Sequence, residues 1–67
     1  MAIGRVTEIT SGSKKSFEDA VAQGIKRADK TLRNITGAWV QDQEVVVSKG
    51  RITEYRVRLK VTFILKD

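Results

Sequence analysis

From Tyr55 onward every second residue is apolar. Tyr55, Val57, Leu59, Val61, Phe63 and Leu65 form one row, and Arg56, Arg58, Lys60, Thr62, Ile64 and Lys66 form the row between them. A period of two over so long a run is the signature of a β-strand with one face buried and one face wet. That apolar row has to be covered by something else in the chain. The covering element must come from what precedes it.

A second period-two stretch begins at Ala38. Ala38, Val40, Asp42, Glu44 and Val46 point one way, and Trp39, Gln41, Gln43, Val45 and Val47 the other. Ser48-Lys49-Gly50-Arg51 reads as the turn joining the two strands, with Gly50 able to take a positive φ. A two-residue loop at Lys49-Gly50 pairs Ser48 with Arg51. This register sets Val40 beside Leu59 on the buried side, and Gln43 beside Arg56 and Trp39 beside Lys60 on the other.

Upstream, Ile3 to Thr10 is β-branched and mixed with charges, as in a first strand, and Ser11-Gly12-Ser13 reads as the break after it. A helix follows. Ser16 is a good N-cap, with Asp19 three residues on in the manner of a capping box. Glu18 and Asp19 sit at the positive end of the helix dipole, and Lys26, Arg27, Lys30 and Arg33 gather toward the negative end. Phe17, Ala20, Val21, Gly24, Ile25, Ala28, Leu32 and Ile35 recur at three- and four-residue spacing, giving one apolar stripe. Its middle is small, so a sheet can approach closely. Asn34 is a candidate left-handed C-terminal cap. The expected fold class is α+β: one domain over 1–67, with β-α-β-β order and a three-stranded antiparallel sheet wrapped over one helix.

Sixty-seven residues lie near the lower limit for a self-sufficient core, and without Cys or His neither disulfides nor zinc can help. Homo-oligomerisation is the remaining aid and is expected. No apolar run approaches the about 20 residues of a membrane-spanning helix, so no membrane partner is expected and the chain reads as cytoplasmic. Thirteen Lys and Arg against eight acids, a net charge of +5, permit an anionic partner. A lone Trp without interleaved aromatics is nevertheless a poor platform for nucleic-acid bases. No catalytic set or metal-ligand spacing is present, and the chain reads as a non-enzyme.

In the order and spacing of Ser11-Gly12-Ser13, Ser16-Phe17-Glu18-Asp19-Ala20, Arg27-Ala28, Thr31-Leu32, Val40-Gln41-Asp42-Gln43, Tyr55-Arg56-Val57 and Val61-Thr62-Phe63, the chain resembles the dodecin family over almost its whole length. The resemblance implies a hollow homododecamer that stores or buffers a flavin, FMN or riboflavin, stacked between Trp side chains. The family's stacking Trp falls on Gly37, its flavin-contacting Gln on Arg56, and an Arg that holds flavin phosphate in some members on Glu44. These departures resemble a branch without the stacking Trp, in which calcium is the bound species. Arg27, Lys30, Thr31 and Arg33 match a helix end where coenzyme A phosphates sit in some relatives.

The candidate ligand-binding set is therefore Gly37, Trp39, Gln43, Glu44, Arg56 and Arg58. Trp39, one pleat beyond Gly37 on the same face, is either a displaced stacking platform or an aromatic plug between subunits. Arg56, Arg58 and Lys60 are either an anion-binding ladder or partners for Asp42, Gln43, Glu44 and Glu54. Asp42 and Glu44 share a face and could contribute to a calcium site, which needs six or so oxygens.

Overall fold

In the computed structural model, which describes residues 3–65, the chain forms β1 (Ile3–Ser13), α1 (Phe17–Ala28), β2 (Ile35–Ser48) and β3 (Arg51–Leu65). Both sheet neighbours of β3 are antiparallel to it, in the order β1-β3-β2. The most regular strand of the sequence is thus the central one. Lys66 lies outside the described residues.

The helix packs across β1 and β3. Val57, Leu59 and Val61 of the alternating row are at most 1% exposed and meet Ala20 of the helix. Ile9, Phe17, Val21, Ile25, Leu32 and Ile35 complete this small core. Phe17 and Tyr55 close one end of it edge to face, ring centroids 5.1 Å apart. The close approach anticipated from the small helix residues is present: Ala20, Gly24 and Ala28 are buried. A Cβ on Gly24 would stand 2.9 Å from Ser11 Cβ and 3.2 Å from Leu59 Cδ1.

Three boundaries differ from the sequence reading. β1 does not break at Ser11-Gly12-Ser13; it runs through Ser13, pairing Ser11 with Val57 and Ser13 with Tyr55. Small hydroxyls at these positions serve the helix. Ser11 Oγ donates to the Ala20 carbonyl at 2.7 Å, and Ser13 Oγ donates to Asp19 Oδ2 at 2.5 Å. Ser16 does cap the helix, its Oγ accepting from Asp19 N–H at 3.0 Å, but the Asp19 carboxylate accepts hydrogen bonds from Ser13 and Gln23. The helix ends at Ala28, so Leu32 and Ile35 join the core from beyond it. Asn34 is left-handed (φ 62°), and it sits at the entry to β2 rather than at the helix terminus.

The hairpin turn is as expected. Lys49 and Gly50 both have positive φ, and Ser48 pairs with Arg51. Trp39 pairs with Lys60 and Val40 with Leu59. Between these two regions the strict alternation fails. β-Bulges leave Thr53 unpaired on β3 and Gln41 unpaired on β2, and shift the register between them by one. Gln43 therefore lies beside Val57, and Glu44 takes the expected place of Gln43 beside Arg56. A one-residue slip exchanges the two faces of a strand. Asp42 and Glu44, expected on the same side as Val40, lie instead on the side of Trp39, away from the helix.

Candidate functional site

The sheet face turned away from α1 is assembled from the positions paired with even-numbered residues of β3. β3 supplies Arg56, Arg58, Lys60 and Thr62; β2 supplies Gly37, Trp39, Asp42 and Glu44; β1 supplies Glu8, Thr10 and Gly12. Five of the six candidate ligand residues, Gly37, Trp39, Glu44, Arg56 and Arg58, are brought to this one face. Gln43 is not among them. The sequence reading placed Asp42 on the opposite face, and no alternation rule could have found it here, because the bulge at Gln41 decides it.

The chemistry of the face is an ion-pair lattice beside an aromatic. Arg58 donates to Asp42 Oδ1 at 2.7 Å and to Glu44 Oε1 at 3.3 Å, spanning the two carboxylates. The hydrogen bond donated to Asp42, then the charges of Asp42 and Glu44, with a smaller contribution from Glu8, hold the guanidinium pKa above its ordinary value. Arg56 Nε pairs with Glu54. The Glu54 side chain lies over β1 where Gly12 leaves room; a Cβ there would meet it at 3.0 Å. Three cations face four carboxylates (Glu8, Asp42, Glu44 and Glu54), so the face is close to neutral although the chain carries +5. The excess positive charge sits elsewhere, notably at Lys26, Arg27, Lys30 and Arg33.

Trp39 is 51% exposed and stands at the edge of this lattice. Two residues before it, Gly37 faces open space: an added Cβ there meets nothing within 4 Å. For calcium the donor set of one protomer does not fit. Asp42 and Glu44 offer too few oxygens, and Arg58 already occupies them. Among the described residues no three His, Cys, Asp or Glu side chains cluster as a metal site.

The second candidate set is only partly brought together. Arg27 and Thr31 line an open groove of ≈ 630 Å³ between α1 and β1, along with Thr7, Ile9, Gln23 and Leu32. Lys30 does not line it, and Arg33 lies at a separate depression near Phe63 and Ile64.

β2 has no helix above it. Val40, Val45 and Val47 are 43%, 37% and 56% exposed, and Ile52, opposite Val47, is 53% exposed. An apolar strip of this kind on a small domain marks a surface for association. Among the described residues, no helix is long and apolar enough to cross a membrane.

Residues 3–66 match the family model described as Dodecin. The chain is 36% identical to the calcium dodecin of Mycobacterium tuberculosis, over 98% of this chain and 93% of that protein. Its fold is similar to dodecin from Streptomyces davaonensis (TM-score 0.94, 32% identity, 98% and 97% of the two chains). A Thermus thermophilus dodecin variant matches over all of both chains (TM-score 0.94, 27% identity). The crystal structure of the mycobacterial calcium dodecin, described as calcium-chelating with a novel calcium-binding site, gives a TM-score of 0.83 at 32% identity, over 96% and 91% of the two chains. This chain belongs to the dodecin family.

Proposed function

We propose that the protein is a non-enzymatic, self-assembling store for a small planar ligand of flavin type, held on the outer sheet face against Trp39. The observation that carries this reading is the half-exposed indole beside the open space at Gly37. A ring stacked there gains apolar and π contact on a face where Arg56 and Arg58 are already paired. The bare strip of β2, with the small core, supports assembly into a closed homo-oligomer, and a dodecamer agrees with the family.

Because Trp39 is the only Trp, its fluorescence reports directly on the site. Titration with FMN and riboflavin is expected to quench it saturably at micromolar flavin. Absence of quenching would sink the flavin reading. Elution of the protein as a monomer in size-exclusion chromatography with light scattering would contradict the assembly.

A second reading has its own support. The 36% identical relative is a calcium dodecin, and Asp42 and Glu44 share the outer face. A flavin-free cage that binds calcium would need oxygens from neighbouring copies, with Arg58 displaced. Calcium-dependent melting of the assembly, reversed by a chelator and accompanied by no flavin quenching, would favour it. Nucleic-acid binding rests on net charge alone and the outer face, being near neutral, does not support it.

A further inference from the structure

The three cations of the outer face are not equivalent. Arg56 is paired with Glu54, and Arg58 with Asp42 and Glu44. Lys60, among the described residues, has no carboxylate within ion-pair distance. It is half-buried and stands directly across the ladder from Trp39. Its other cross-strand neighbour, Glu8, makes no ion pair with it. Side chains at directly opposed positions have Cβ atoms about 4.5–5.5 Å apart. An ammonium on a four-carbon stem at that distance reaches the rim of any ring stacked on the indole. The adjacent pair, Gly37 and Thr62, leaves that rim unobstructed and offers a hydroxyl. The nearest carboxylates along β2, Asp42 and Glu44, are engaged by Arg58, which weakens the repulsion an anion would meet there.

Resting on the planar-ligand reading above, we infer that Lys60 is the specificity-determining residue of the site and selects planar aromatic ligands that carry an anionic group over neutral ones. The other two cations are held by carboxylates of this face and are poorly placed to supply that selection. Lys60 is the one cation of the three with no carboxylate partner among the described residues.

FMN and riboflavin share one ring system and differ by a phosphate of about −1.5 to −2 charge, so they form a matched pair of probes. With the full chain at low ionic strength, Trp39 quenching is expected to show FMN binding up to about fivefold tighter than riboflavin, the upper scale of an exposed ion pair. Raising ionic strength from about 0.01 M to about 1 M, which shortens the screening length from about 30 Å to about 3 Å, should remove most of the preference. Lys60→Gln should bring the two affinities together, and Lys60→Arg should retain the preference. Size-exclusion chromatography of each variant checks that assembly is intact, and a ratio of two affinities is insensitive to a general loss of fold. Equal affinities in the unmodified protein, or a preference that survives Lys60→Gln, would overturn the role of Lys60 while leaving the stacking reading standing. Quenching by neither probe would overturn both.

Discussion

Gly24→Ala isolates the tightest contact in the molecule. In an ordinary helix interior the change gains about 1 kcal/mol, because Ala is the better helix former. Here the new methyl would lie 2.9 Å from Ser11 Cβ and 3.2 Å from Ser11 Oγ and Leu59 Cδ1. Carbon atoms prefer about 3.5–4.0 Å, so the overlap with Ser11 Cβ is between about 0.6 and 1.1 Å. Ser11 cannot rotate away, since Cβ is fixed to the β1 backbone and Oγ is tied to the Ala20 carbonyl. The helix must lift, loosening Ala20 from Leu59 at the centre of the core. Overpacking of this kind costs about 1–3 kcal/mol; together with a weakened Ser11 bond it outweighs the helical gain, leaving a net loss of about 1–2 kcal/mol. In a domain of this size that lowers Tm by about 5–15 °C. Thermal unfolding followed by circular dichroism, at one fixed protomer concentration because assembly contributes to apparent stability, measures it. Gly37→Ala is the internal control: its Cβ meets nothing and the change should stay within about 0.5 kcal/mol. A Gly24→Ala protein melting at or above the unmodified temperature would refute the reasoning, since the helix–sheet approach would then not be limited by side-chain volume.

Leu59→Ala, at a fully buried site in a core this small, should cost about 2–5 kcal/mol and leave little folded protein, read by urea unfolding. Asp19 has its pKa held below the ordinary value by the Ser13 and Gln23 hydrogen bonds, with the Lys15 charge assisting. Its stabilisation is therefore complete above the unfolded carboxylate pKa of about 3.9 and is lost as pH falls through the lower folded value. Asp19→Asn should flatten that acid limb of the pH–stability profile; an unchanged limb would show that other carboxylates set it. Arg58→Met should change stability little, since both its ion pairs are exposed, and a double-mutant cycle with Asp42→Asn should give a coupling that shrinks with salt. Val45→Asp should shift the assembly toward smaller species in light scattering without loss of protomer secondary structure.

What the sequence made legible follows from where its two faces differ chemically. β3 carries apolar residues on one side and charges on the other, and its role, its facing and its pairing at the turn could be read directly. The pairings of Trp39 with Lys60 and Val40 with Leu59 were legible for the same reason. From Gln41 to Glu44 that contrast disappears: four consecutive polar residues lie on a strand exposed on both sides, so no burial pattern fixes the register and a bulge can enter without signal. The placement of Asp42, Gln43 and Glu44 was lost there. Ser11-Gly12-Ser13 failed differently. Small hydroxyl residues are turn-formers by composition, and only the helix beside them shows that they serve as hydrogen-bond anchors within a strand.

The unpaired Gln41 acts on β2 as a single inserted letter acts on a reading frame. Everything from Asp42 toward the hairpin is read in the opposite facing from Gly37 to Val40, whatever side chains are present. The polarity of the outer face is thus set by chain length at one position as much as by residue type. Removing one residue at Gln41, with every remaining side chain kept, would carry the two carboxylates to the helix side and present Gln43 and Val45 beside Trp39. A relative with or without that extra residue could therefore gain or lose the two β2 carboxylates of this face, leaving the β3 cations in place, in a single genetic step.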